Sequence, residues 1–233
     1  MSFFNRFLRR FIKFFGSLRL ALGLELLIGF IIAIAAVFFF GWLAGEMLGG
    51  DTARFDDSIR AFVHTFASPV LTKVMQLASF LGSTLFLVLF GITVFGIFYY
   101  FKRRRAAVLF AIATIGATIL LVSLKLAFRR VRPEPFFDTI LPASFSFPSR
   151  HSLASFCFYL ALAAIVSNRI KNLGFKILIW IFSAALVLLI GISRIYLGVH
   201  YSSDVVAGFV IGFIWVITIA VADRLLRSRK VES

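Results

Sequence analysis

The chain has 233 residues, is 61% hydrophobic with a mean hydropathy of +1.00, and carries a net charge of +15. No soluble domain of this size can hide that much apolar surface, so the composition excludes a soluble protein and indicates a single polytopic membrane domain over residues 1–233. In so apolar a chain the positive charge reads as basic membrane-flanking loops plus an anion site, not as a nucleic-acid surface. The lone Cys157 excludes an internal disulfide.

Taken in chain order, residues 1–20 mix Arg and Lys with Phe, and the pattern predicts an amphipathic helix lying in the membrane interface. A span needs about 20 mostly apolar residues. Six such stretches follow, at about 24–45, 77–101, 106–127, 148–167, 175–194 and 201–223, so the expected fold is all-α with six transmembrane helices. Between the first two lies a polar segment, 51–72, that is placed to form a lid or rim. Arg6, Arg9, Arg10, Lys13 and Arg19, the run Lys102–Arg105, the loop cations Arg169, Lys171 and Lys176, and the tail cations Arg224, Arg227, Arg229 and Lys230 all fall on one side. The positive-inside rule assigns that side, with both termini, to the cytoplasm. Six further cations, Lys125, Arg129, Arg130, Arg132, Arg150 and Arg194, sit at span ends on the other side, where the rule does not expect them. Charges that break a topology pattern are expected to serve a site.

Three stretches carry the chemistry. In KLAFRRVRP (125–133), Lys125 and Arg132 are seven residues apart, which on a helix puts both on one face. Arg offers a planar fork of donors that matches phosphate, and Lys adds a point charge. Arg129 and Arg130 read instead as a basic interfacial patch for anionic head groups. In SFPSRHS (146–152), Pro148 suits a first helical position. The amides of Ser149, Arg150 and His151 would then be free at a helix N-terminus, which is a phosphate site. In SRIYLGVHYSSD (193–204), Arg194 ends a span, and His200 and Asp204 are four apart on one helix face. An Asp bonded to one imidazole nitrogen leaves the other with a free lone pair, as a nucleophile or base requires. Together these residues fit phosphoryl transfer without a metal or other cofactor: cations hold the phosphate oxygens, one His attacks, and the other protonates the leaving oxygen.

Those three stretches resemble the three signatures of the type 2 phosphatidic acid phosphatase (PAP2) superfamily, Lys-x6-Arg-Pro, Pro-Ser-Gly-His and Ser-Arg-x5-His-x3-Asp. Here they read Lys125…Arg132-Pro133, Pro148-Ser149-Arg150-His151 and Ser193-Arg194…His200…Asp204, within residues 125–204. The resemblance implies a bacterial integral-membrane lipid phosphatase in which His200 forms a phosphohistidine, Asp204 orients it and His151 protonates the leaving alcohol. It also implies that Lys125, Arg132, Ser149 and Arg194 hold the phosphate and that no metal takes part. One position departs from the pattern, because Arg150 stands where the family usually has Gly. Arg150 either points to the head-group region or adds a cation for a second phosphate.

The expected substrate is a lipid phosphate at the outer face of the inner membrane: phosphatidate, phosphatidylglycerol phosphate, undecaprenyl diphosphate or lipid A phosphate. Membrane lipids are the expected partners, with no obligate protein partner. A phosphotransferase passing the phosphoryl group to a lipid acceptor needs the same residues and stays open. An anionic-lipid transporter would not need the His200–Asp204 pair opposite His151, and the chain lacks the internal repeat common in transporters. Among the remaining residues, His64 reads as a packing histidine, Cys157 as buried, and Tyr196 and Tyr201 as interfacial anchors. Asp223 reads as a partner of the tail arginines, Glu25 as snorkelling or pairing with Arg19, and Glu134 and Asp138 as counter-charges in the first motif's loop or as residues that tune access.

Overall fold

The computed structural model describes residues 27–137 and 143–232, with side chains to Arg227. The expected interfacial helix, Glu25 and Asp138 lie outside the described residues. The described residues form helices and no strand. Helix α1 (Leu27–Gly49) is followed by the short α2 (Ala53–His64), then α3 (Pro69–Leu81), α4 (Thr84–Tyr100), α5 (Arg104–Phe128), α6 (Arg150–Ser167), α7 (Leu173–Tyr196) and α8 (Ser202–Glu232). Five of these are long and apolar enough to cross a membrane, or six if the bent pair α3 and α4 counts as one span. The protein is an integral membrane protein with an all-helical fold.

Local sequence explains the helix ends. Ser68 accepts from the Leu71 amide and Pro69 occupies the first turn of α3, where its missing N–H costs nothing. Asn172 caps α7 in the same way through Phe175. Helix α5 stops at Arg129, which adopts a left-handed conformation (φ +47°) and donates its amide to the Lys125 carbonyl.

The second span differs from its expected form. Residues 77–101 are not one straight helix: α3 ends at Gly82, Ser83 caps α4 by accepting from the Phe86 amide, and the two helices meet at 49°. Both halves are apolar, so hydropathy alone joins them. The cap signal Gly82-Ser83 separates them.

Helix α6 is the centre of the bundle. It is the least apolar of the spans, yet half of it is buried, more than any other. That inversion is what a membrane requires, since lipid favours apolar residues on the outside and small or polar ones at helix contacts. Gly208 and Gly212, four apart on α8, let that helix close on α6. A β-carbon at Gly208 would lie 2.8 Å from the Ser152 β-carbon and 2.9 Å from the Ser149 carbonyl oxygen. Between them Leu153, Cys157 and Ile211 pack with Ala117 and Leu121 of α5. At the far end Asp223 of α8 binds Arg105 (2.5 Å) and the tail residue Arg227 (3.0 Å), pinning α5 to α8. Helix α1 touches the bundle near its end: Leu43, Ala44 and Met47 pack with Phe147 and Ala207.

Candidate functional site

The turn between α7 and α8 builds the first part of the site. Gly198 has φ +74°, and a β-carbon there would meet the Phe136 amide, so only glycine allows this turn. The chain then reverses and buries His200, which is 1% exposed. His200 Nδ1 lies 3.2 Å from Asp204 Oδ2, which also accepts the Tyr201 amide at 3.0 Å. An ionised carboxylate only accepts, so Nδ1 carries the proton and Nε2 keeps its lone pair. Nε2 sits 3.1 Å from Arg132 Nη1. Burial, the largest influence, lowers the His200 pKa to about 4. Asp204 opposes that shift, while Arg132 and Arg194 add to it. The imidazole is therefore uncharged at neutral pH.

Arg132 is fixed on every side. It donates to the Ser144 carbonyl (2.8 Å), the Val199 carbonyl (3.0 Å) and the Ser144 hydroxyl (3.1 Å). It reaches the site from a loop and not from a helix, because α5 ends three residues after Lys125. The shared helix face expected for Lys125 and Arg132 does not form. The loop brings them together instead: both donate to the Phe145 carbonyl, and Lys125 also reaches the Ser146 carbonyl at 3.3 Å.

The N-terminus of α6 supplies the second part. Ser149, not Pro148, is its boundary: Ser149 is the cap, its hydroxyl accepts from the Ser152 amide, and Arg150 is the first helical residue. Pro148 stands one position before the cap, following a cis peptide bond. The Ser149 amide is not free, contrary to expectation, because it donates to the Asp204 carbonyl at 2.9 Å and so ties α6 to α8. The Arg150 and His151 amides have no acceptor within their helix. His151 packs at the break between α3 and α4, where a β-carbon on Gly82 would lie 3.3 Å from its ring. Arg150, His200, Arg132 and Arg194 are all close enough to His151 to act on its charge.

That break also receives two of the cations. Arg194 donates to the Ser79 hydroxyl at the end of α3, and its buried Nε has no hydrogen-bond partner. Arg150 donates to the Thr84 hydroxyl at the start of α4, at 3.3 Å. All eight residues singled out by the motifs therefore gather around the start of α6 and the α7–α8 turn. Among the described residues, no cluster of His, Cys, Asp and Glu is arranged to hold a metal ion.

The sequence reading missed Arg130 and Asp56. Arg130 is no interfacial patch residue. Its Nη1 donates to Asp204 Oδ1 (2.8 Å) and Ser203 Oγ (2.7 Å), and its Nη2 to Asp56 Oδ2 (2.8 Å). Burial works against its charge, but the Asp204 and Asp56 carboxylates outweigh it and raise its pKa. Asp56, on α2, is fully buried. Tyr196 and Tyr201 are not interfacial anchors either. The Tyr196 hydroxyl is bonded to Thr72 (2.8 Å), and the Tyr201 ring lies under the Arg130 guanidinium at 4.1 Å. His64 does pack, stacked on Phe136 at 4.1 Å between ring centroids. Helix α2 covers this end of the bundle, with Arg60 donating to the Glu134 carbonyl (2.7 Å) and the Gly198 carbonyl (3.3 Å).

Residues 105–226, which contain every one of these contacts except those from α2, α3 and α4, match the PAP2 superfamily. The chain belongs to that superfamily. It is 32% identical over 186 residues to phosphatidylglycerophosphatase B of Bacillus subtilis (strain 168), covering 78% of this chain and 89% of that protein. Its fold is similar to the crystal structure described as the first transmembrane PAP2 type phosphatidylglycerolphosphate phosphatase, from Bacillus subtilis, with TM-score 0.73 and 28% identity over 82% of this chain and 96% of that one. It is also similar to the crystal structure of LpxE from Aquifex aeolicus, with TM-score 0.51 and 26% identity over 71% of this chain and 94% of that one. The protein is a membrane lipid phosphatase of the PAP2 type.

Proposed function

We propose that this single-domain PAP2 phosphatase hydrolyses phosphatidylglycerol phosphate, through a phosphohistidine on His200, at the extracytoplasmic face of a bacterial inner membrane. The observation that carries the chemistry is the fixed imidazole: Nδ1 is held by Asp204 while Nε2 faces Arg132. A phosphate placed between Nε2 and the cations has its oxygens neutralised by Arg132, Lys125 and Arg194. It also receives hydrogen bonds from Ser149 and the first amides of α6. His200 Nε2 attacks phosphorus, and the bond to the lipid oxygen breaks as that oxygen takes a proton from His151. His151 then removes a proton from water. The resulting hydroxide attacks phosphorus, the P–N bond breaks, and phosphate leaves with His200 restored to its neutral form. Every step runs on this chain's own groups and water, so the proposed reaction calls for no metal.

The choice of lipid is supported by the two Bacillus subtilis proteins, both named for that activity. The location is supported by helix length. Helix α4 starts level with the site and has 17 residues, about 25 Å at 1.5 Å per residue, so the site lies near the edge of a hydrocarbon core about 30 Å thick. A phosphate in the head-group layer reaches it while the acyl chains stay in lipid. The orientation, with both termini cytoplasmic, is supported by Lys102–Arg105, Arg169, Lys171 and Lys176 at the opposite end.

The test is phosphate release by purified protein in detergent with EDTA, comparing phosphatidylglycerol phosphate, phosphatidate and undecaprenyl diphosphate. The expected result is release that is fastest with phosphatidylglycerol phosphate and lost in His200→Ala. Release that survives in His200→Ala would remove the phosphohistidine, and a different ranking would replace the lipid.

A further inference from the structure

Helix α2 contributes one carboxylate to the interior of the site end, and its partners are not surface groups. Asp56 Oδ1 accepts from the Ser202 hydroxyl (2.6 Å) and the Ser203 amide (2.8 Å), and Oδ2 from the Ser203 hydroxyl (2.6 Å) and from Arg130 Nη2 (2.8 Å). Four donors on one fully buried carboxylate fill its lone pairs. Arg130 is thus shared between two buried carboxylates, Asp56 through one terminal nitrogen and Asp204 through the other. The ring of Tyr201 supports the guanidinium plane from one side.

From this geometry we infer that Asp56 is a positioning residue for the phosphatase chemistry, acting through Arg130 on Asp204 and so on His200; the inference rests on the phosphohistidine mechanism proposed above. A guanidinium left alone with a carboxylate takes both oxygens in a fork. Here the fork is not available, because Asp56 holds Nη2. Arg130 therefore takes only Oδ1 of Asp204 and leaves Oδ2 to the His200 Nδ1–H and the Tyr201 amide. Remove the Asp56 charge and Arg130 turns to engage both Asp204 oxygens. The histidine then loses the acceptor that fixes its tautomer and aim. The polar segment between the first two spans is accordingly part of the site, because it sets which oxygen the nucleophile's partner offers.

Asp56→Asn tests this, with Ser202→Ala as the control for docking of α2. Asparagine keeps the shape and one oxygen for the Ser202 and Ser203 donors, but it has no charge for Arg130. Alanine at 202 removes one α2–α8 hydrogen bond and leaves the Arg130 bridge intact. The readouts are kcat and KM for phosphate release and the melting temperature in detergent, beside wild type and His200→Ala. The expected result is a kcat lowered on the order of 10- to 100-fold in Asp56→Asn with KM within about twofold, and a kcat within about twofold of wild type in Ser202→Ala, although both lower the melting temperature. An Asp56→Asn kcat within about twofold of wild type overturns the inference, as does an equal loss in both variants. If Asp56→Asn does not fold, Arg130→Lys replaces it: lysine has no rigid fork to hold the two carboxylates in separate places, so the same loss of kcat at unchanged KM is expected, and an unchanged kcat overturns the inference. Activity that persists in His200→Ala would instead defeat the phosphohistidine reading itself.

Discussion

At the scale of single residues, burial keeps His200, the proposed nucleophile, uncharged and also ties its charge to the folding equilibrium. Its pKa of about 4 in the folded protein lies below the ordinary 6.5. In the proposed mechanism attack requires the neutral ring, so the acid limb of kcat/KM is expected near pH 4. An acid limb near pH 6.5 would contradict the buried environment. Between the two pKa values the unfolded chain binds more protons than the folded one, so this histidine's contribution to stability is lost as the pH falls from about 6.5 to about 4. Thermal unfolding in detergent is expected to show a steeper decline over that interval in wild type than in His200→Asn. Arg150 supplies another residue-scale test. Among the described residues its side chain is tied only to the Thr84 hydroxyl, so Arg150→Gly should leave the melting temperature within a few degrees of wild type. If the arginine serves a second phosphate, kcat/KM for undecaprenyl diphosphate falls relative to phosphatidylglycerol phosphate. An unchanged ratio assigns Arg150 to the head-group layer. The motif residues were legible in the sequence because three short patterns in fixed order name them. Arg130 was not, since its meaning depends on Asp56, 74 positions away, and a string of arginines beside a span looks the same whether it faces lipid or a buried carboxylate.

At the scale of helices, the contact between α6 and α8 sets the site. The Ser149 amide on the Asp204 carbonyl joins the helix end proposed to bind phosphate to the helix end proposed to orient the nucleophile. Gly208 makes that closeness possible, and the atoms its β-carbon would meet include backbone, which cannot rotate away. Gly208→Ala is therefore expected to cost about 1–3 kcal/mol of stability and most of the phosphatase activity. Gly96→Ala, where nothing lies within 4 Å, should change neither. Loss of activity in both, or in neither, would separate function from this contact. The helices themselves were mostly visible in hydropathy. The break at Gly82-Ser83 was written in cap residues, which a hydropathy window averages away. The start of α6 was misplaced because Pro148 and Ser149 are both helix-start residues, and the Asp204 carbonyl that decides between them is distant in sequence.

At the scale of the whole molecule, orientation is the property to test. Cys157 is fully buried against the α6–α8 contact, so the wild-type chain offers an impermeant thiol reagent no exposed target among the described residues. Asp57, on the α2 side, and Arg103, between α4 and α5, are both exposed and suit single-cysteine substitution. Labelling of intact cells with an impermeant maleimide is expected to modify Asp57→Cys and spare Arg103→Cys until the membrane is opened. The opposite pattern would turn the molecule over and put the site in the cytoplasm. Charge counting alone gives this expectation, since loop cations are read one stretch at a time. Helix α2 as a cover for the site was only a suggestion of the sequence, because an amphipathic stretch between spans does not say which face it seals.

The modest apolarity of α6 bears on how the chain is made. A segment beginning Arg150-His151-Ser152 and carrying Ser155 is the least apolar of the spans, and its burial comes from α5, α7 and α8. During synthesis it emerges before two of those three neighbours exist. Its stable placement in the bilayer is then expected to come with α7 and α8 as a group. A chain truncated after Ser167 and released from the ribosome should leave α6 open to added protease, whereas the full chain should protect it.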